Sequence, residues 1–313
     1  MEVIAPYTVS IRTYSTRNGL QRAGNIAHSL GLKAAIGIWI GADTAANTAE
    51  IASGVAMANA GEADMLIVGS AVLLRRDLSA VDAVNAELLR SYILAVRAQV
   101  PSNIPVTTAD VYGKLLEHQP IIDSCTVFMA NIFPFWESVP IGSAMAFVHQ
   151  KYQALVNAAG FTSPGVRKPV LISEAGWPSG GIAEGNAVPG PENAANYFLS
   201  FVSWARANSV NYFYFEAFDE PWKANYEGGL RGASWGLWTT GGTLKPGMGA
   251  VFAGTTVADN WTGTAFVGGT GAPSIDFIYK PVIGDSRRLS WQVLHVQPAN
   301  YRVAVYIKVG TDW

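Results

Sequence analysis

The sequence predicts an α/β fold, a (β/α)8 TIM barrel with a small all-β appendage at its C-terminal end, and three observations carry that expectation. Seven strand-like runs rich in β-branched and aromatic residues recur up to about residue 219. Helix-like stretches separate them, with apolar residues three or four apart. The runs are continuously apolar, as expected of strands covered on both faces in a parallel sheet.

The strands are expected at 9–15, 33–40, 65–71, 104–109, 124–133, 169–175 and 211–218. One helix is expected over 77–100, with an acidic start and basic residues near its end, and another over 143–160, closed by Gly160. A closed barrel needs eight strands. The missing unit should be the first, because residues 1–8 read as the tail of a helix feeding the 9–15 strand. Three sources of that gap stay open: a truncated or processed start, which is preferred, a C-terminal segment that fills it, or an incomplete barrel. The barrel domain is expected over 1–250. Residues 251–313 turn Gly- and Thr-rich and then give strand-like runs without helical period. They are expected to be a β-rich appendage, either a sugar-binding module or a packing cap.

Composition narrows the function classes. A formal net charge of -2 offers no basic face to nucleic acid. The single Cys125 excludes an intrachain disulfide, and the four histidines, 28, 118, 149 and 295, form no close pair that suggests a metal. No cofactor is expected. The N-terminus lacks the basic start and apolar stretch of a signal peptide, and no apolar run approaches the ~20 residues of a membrane span.

Active sites of parallel barrels lie at the C-terminal strand ends. The polar and aromatic residues there are Arg12, Tyr14, Trp39, Ser70, Asp110, Tyr112, Asn131, Glu174, Glu216, Asp219, Glu220 and Lys223. Carboxylates mixed with aromatics suit sugar chemistry, in which rings stack on pyranose faces and two carboxyl groups flank the scissile bond. The sharpest stretch is "VLISEAGWPSGG" at 170–181. It sets Glu174 at a strand end before a tight turn with Trp177, a place suited to attack on an anomeric carbon; pairing with a core Arg is the plainer alternative.

"LISEAGWPSGG" resembles the nucleophile signature of glycoside hydrolase family 17, the β-1,3-glucanases and β-1,3-glucanosyltransferases, here read as bacterial-type. "IRTYS", "GLKAAIGIWIG", "MANIFPFWE" and "FYFEAFDEPWK" are similar to that family's second, third, sixth and eighth strands, in order. The resemblance covers roughly residues 1–245 and implies a retaining mechanism on a barrel whose first strand is missing here. It implies Glu174 as nucleophile and a sugar cleft lined by Asn131, Phe133, Phe135 and Trp136. The family shows His-Pro-Tyr where Phe133-Pro134-Phe135 stands, which puts a hydrogen-bonding group there in doubt. Glu220, Lys223 and Glu227 would form a charged support or a structural salt-bridge network, and Glu216 would bond glucose hydroxyls. Tyr14 and Trp39 are candidates for stacking or for core packing. The implied partner is a laminarin-like β-1,3-glucan oligosaccharide, bound by a monomer. A periplasmic or extracellular setting is expected from that substrate.

The family's fourth strand ends Val-Gly-Asn-Glu, the Glu serving as acid/base. This chain has Val68-Gly69-Ser70-Ala71. The proton donor's position therefore holds a methyl group, and Ser70 replaces the Asn beside the bond being cut. An intact nucleophile loop and charged support favour a Glu→Ala change made by design, giving an inactive mutant; a natural glucan-binding pseudoenzyme is the alternative. Numerous tryptophans (136, 177, 222, 235 and 238) tilt the expectation towards transglycosylation over hydrolysis.

Overall fold

A computed structural model describes residues 1–79, 84–257, 261, 272, 274–279 and 290–294. In chain order the first half holds β1 (Ser10–Arg12), α1 (Ala23–Ser29), β2 (Lys33–Ile38), α2 (Thr44–Asn59), β3 (Met65–Ser70), α3 (Val72–Leu78), α4 (Ala86–Arg97), β4 (Val106–Val111), α5 (Tyr112–Leu116), α6 (Gln119–Ser124) and β5 (Phe128–Asn131). The second half holds α7 (Ala144–Ala158), β6 (Phe161–Ser163), β7 (Val166–Arg167), β8 (Val170–Ala175), α8 (Pro191–Ala207), β9 (Asn211–Tyr214), α9 (Leu230–Ala233) and α10 (Gly249–Phe252). Further on come β10 (Ser274–Tyr279) and β11 (Ser290–Leu294).

Seven strands form one sheet in the order β1-β2-β3-β4-β5-β8-β9, every neighbouring pair parallel. Together they make a nearly closed, barrel-like wall. The two-residue period sorts its side chains. Ile36, Ile38, Leu66, Val68, Phe128 and Ala130 join the large core beneath the helices, whereas Ala35, Ile67, Ala109 and Met129 form a small cluster of their own. Alternation along each strand puts that second set on the opposite face, inside the wall.

All seven expected strands are present, most of them shorter than read from the sequence. The expected helix over 77–100 is replaced by two. α3 starts at Val72, immediately after β3, and α4 starts at Ala86, where Asn85 Oδ1 accepts the Leu88 amide at 2.8 Å. The Asn85 cap sits inside the stretch read as continuous helix, and the earlier onset is set by a cap from another strand, described below. Residues 1–8 hold a 3-10 turn, Ala5–Tyr7, ahead of β1.

The sheet ends at β1 on one side and β9 on the other, and among the described residues these strands do not pair. A cavity of about 260 Å³ lies along this seam, lined by Ile4, Tyr7, Arg12, Tyr214, Glu216 and Phe252 among others. β10 and β11 pair antiparallel with each other in a separate sheet, so neither fills the gap. The rest of the expected appendage lies outside the described residues. Among the described residues, no helix is long and apolar enough to cross a membrane.

Candidate functional site

Glu174 lies next to the last residue of β8, and its residue surface is nearly all buried. Its Oε1 accepts from Arg12 Nη1 at 2.8 Å and from the Tyr14 hydroxyl at 3.1 Å. The same Nη1 donates to the Ser173 carbonyl at 2.6 Å, while Nη2 donates to Ser70 Oγ at 3.0 Å. One guanidinium therefore ties the nucleophile candidate to the end of β3, where the chain passes into Ala71. Burial, followed by the Glu174 charge, pushes the Tyr14 hydroxyl well above its usual value and keeps it a donor. The Arg12 guanidinium lies 4.6 Å from the Tyr14 ring centroid. Tyr14 thus orients Glu174 more directly than it serves as an open stacking face.

Ala71 adopts a left-handed conformation, φ 50 and ψ 34, that turns the chain from β3 into α3. Its amide donates to the Ala109 carbonyl at 2.8 Å. Asp110, fully buried on the neighbouring strand, accepts the Leu73 amide at 2.7 Å and the Val111 amide at 2.8 Å. Burial pushes its carboxyl up to about 6, against the pull of those amides and of Arg75. Asp110 is thus a cap for the turn at 71, and its expected contact with sugar is withdrawn because its carboxylate is enclosed by backbone amides. α3 begins where it does for this non-local reason.

Arg75, one helical turn beyond Ala71, folds back over the same rim. Its Nε donates to the Ser70 carbonyl at 3.3 Å and its Nη2 to the Ile40 carbonyl at 2.6 Å. Its guanidinium stacks 4.3 Å from the ring of Trp39, which is 40% exposed. Trp39 therefore offers a ring to solvent beside position 71. Nothing in the sequence pattern singles out Arg75.

Beyond β9, buried Lys223 places its Nζ 2.6 Å from part-buried Glu216 and 2.5 Å from the more exposed Glu220, so one ammonium links the two carboxyl groups. Burial pushes Glu216 up to about 8, opposed by Lys223. Glu216, Arg12, Tyr14 and Glu174 all line the seam cavity. Burial also raises Glu227, again against Lys223. Asp219 stands apart from this group. It accepts from buried Lys245 at 2.6 Å and from the Gly236 amide at 3.0 Å, and so acts as a loop anchor.

Asn131, at the end of β5, accepts from Ser173 Oγ at 2.6 Å and is buried. Phe133 is half-buried, edge-on to Phe215 and Trp235. Phe135 and Trp177 are fully buried in contact with one another, and Trp177 Nε1 donates to the Val188 carbonyl at 3.0 Å. Neither presents a face to a ligand, so both leave the substrate-contact set for the core. Trp136 stays 39% exposed, backed by Trp235 and Arg231. Tyr112 donates to Glu137 at 3.3 Å, away from the Glu174 group. Among the described residues, no cluster of His, Cys, Asp and Glu is able to hold a metal ion.

Comparison with known proteins adds a family and a set of relatives. Residues 1–236 match the model of the BtgE/BtgC glycoside hydrolase domain. A glucan 1,3-beta-glucosidase of Candida albicans is 29% identical over 260 residues, covering 78% of this chain and 83% of that protein. A probable glucan endo-1,3-beta-glucosidase, btgC, of Aspergillus fumigatus is 34% identical over 159 residues, which are 47% of this chain and 22% of that longer protein. The crystal structure of a glycoside hydrolase family 17 beta-1,3-glucanosyltransferase from Rhizomucor miehei superposes with a TM-score of 0.68 at 31% identity, covering 79% of this chain and 88% of that one. An active-site mutant of that transferase, solved in complex with laminaritriose, superposes equally well.

Proposed function

The chain belongs to the BtgE/BtgC glycoside hydrolase domain family, within glycoside hydrolase family 17, and on that premise we propose that it binds β-1,3-glucan oligosaccharides over Glu174 as a retaining site without its proton donor. The observation that carries this reading is the Arg12 bridge, which ties the Glu174 carboxylate to Ser70 Oγ, the residue before Ala71.

Retaining cleavage uses one carboxylate to attack the anomeric carbon and a second group to protonate the departing oxygen. Glu174 is fixed for the first task. A methyl group at 71 cannot perform the second, and general acid–base help typically contributes 10²–10⁴-fold. Glucan is therefore held but cut feebly. Removing a side chain opens space without a clash, so binding survives. Trp39, Trp136, Glu216 and the Glu220–Lys223 pair are the surfaces that this reading assigns to the sugar chain. The laminaritriose complex of the Rhizomucor miehei relative supports the ligand class. Of the five tryptophans weighed for acceptor binding, only Trp136 and Trp222 are exposed, which leaves a narrower basis for transfer.

Ala71→Glu tests the reading. The variant should cleave or elongate laminari-oligosaccharides, with mass spectrometry of the products separating transfer from hydrolysis. A well-folded variant that does neither would leave a glucan-binding pseudoenzyme. The reading also takes the chain to be a monomer acting in a periplasmic or extracellular setting, which light scattering and fractionation check.

A further inference from the structure

Two buried polar side chains of α2, Asn47 and Glu50, bond to the chain around Trp39 and to the segment that follows Tyr14. We infer that they are positioning residues for Trp39, gripping residues 39–41 so that its exposed ring is held ready for a glucan chain, an assignment that rests on the glucan reading proposed above.

Glu50 stands midway along α2, where a carboxylate withdrawn from water needs full compensation. Its Oε2 accepts the Trp39 amide at 3.2 Å, the Thr16 amide at 2.8 Å and the Thr16 hydroxyl at 2.8 Å. Its Oε1 accepts the Ser15 hydroxyl at 2.5 Å. Donors from the segments after β1 and after β2 thus converge on one side chain. A carboxylate offers about four acceptor sites, all of which this set uses, whereas a glutamine would turn an amide donor towards donors.

Asn47, one turn earlier, holds the far end of the same segment. Its Oδ1 accepts the Gly41 amide at 2.8 Å and its Nδ2 donates to the Gly41 carbonyl at 2.7 Å. Between them the Ile40 carbonyl accepts from Arg75, whose guanidinium lies against the Trp39 ring. The backbone from 39 to 41 is therefore fixed at every residue, yet the ring it carries stays exposed. Apolar side chains would pack α2 on the sheet without the desolvation that buried polar groups bring. A fixed backbone beneath an open ring instead lowers the ordering cost of binding.

Calorimetry of laminarihexaose with the unaltered chain, Glu50→Gln, Trp39→Ala and the double variant forms a double-mutant cycle, read well below each unfolding temperature. Glu50→Gln should weaken binding about tenfold, a size within the coupling of residues that act together. In the Trp39→Ala background the same change should cost less than about twofold, because the ring it positions is gone. Asn47→Ala should repeat both results, and it carries the test if Glu50→Gln does not fold. Unchanged affinity in the folded variants, or an equal loss with and without the ring, overturns the inference. If Trp39→Ala binds as tightly as the unaltered chain, the ring is no sugar contact and only this inference falls. If the unaltered chain does not bind laminarihexaose, the glucan reading falls with it.

Discussion

Arg12 donates to the Glu174 carboxylate at 2.8 Å across a site in which the Arg12 side chain is 4% exposed and that of Glu174 10%. The pair is buried, hydrogen-bonded on both partners, and central to every contact described for the nucleophile candidate. Variants at four positions probe the site and its supports.

Arg12→Met should destabilise the fold by about 3–5 kcal/mol, because it leaves a buried carboxylate without its cation. Arg12→Lys should recover part of that loss, since it keeps the charge but not the fork that reaches Ser70 and Glu174 together. Urea unfolding measures both. A cost below about 1 kcal/mol, the value of an exposed pair, would mean that Glu174 is well solvated.

Glu216 has a folded-state pKa of about 8, raised by burial above its ordinary 4.5. The folded protein therefore holds this proton more tightly than the unfolded chain. Its contribution to stability is full below about pH 4.5 and is lost as pH rises through 8. Glu216→Gln should flatten the stability profile across that window. Identical slopes for the two proteins would assign the dependence to other groups.

Asp110 caps the turn that follows Ala71. Asp110→Ala should cost about 1–3 kcal/mol by leaving the buried Leu73 amide without a partner. Combined with Ala71→Glu, it should also depress the activity regained, because the new carboxylate would sit on a loosened turn. Full activity in the double variant would show that the cap does not position residue 71.

Ala71 lies at φ 50, where a β-carbon is strained by about 1–2 kcal/mol. Ala71→Gly should therefore raise the melting temperature while leaving oligosaccharide binding unchanged. A lower melting temperature would mean that glycine's extra freedom in the unfolded chain outweighs the strain relieved.

Much of this architecture is legible in the sequence. The seven strands announce themselves as apolar runs, and Glu174 as a carboxylate ending one of them. The support around Glu174 is less legible, because it is non-local. Arg12 reaches it from 162 positions away, and Asp110 starts α3 from a neighbouring strand, 37 positions from Leu73. Local periodicity carries no trace of either, which is why the pattern predicts one helix over 77–100 where two exist. Trp177 misleads for a related reason. A ring beside a nucleophile in sequence need not face it, and here it turns into the core to reach Val188. Lys245 gives no signal at all; its partners Ser179 and Asp219 come together only in the folded chain.

The break between β1 and β9 has a mechanical consequence. Arg12 belongs to β1, on one lip, whereas Ser173 and Glu174 belong to β8, one strand in from the other lip. Among the described residues, backbone pairing stops at the break, but the arginine fork crosses it. The hoop is fastened there by a side-chain clasp whose catch is the nucleophile candidate itself. Loosening the clasp would slacken the ring and disarm the carboxylate in a single event.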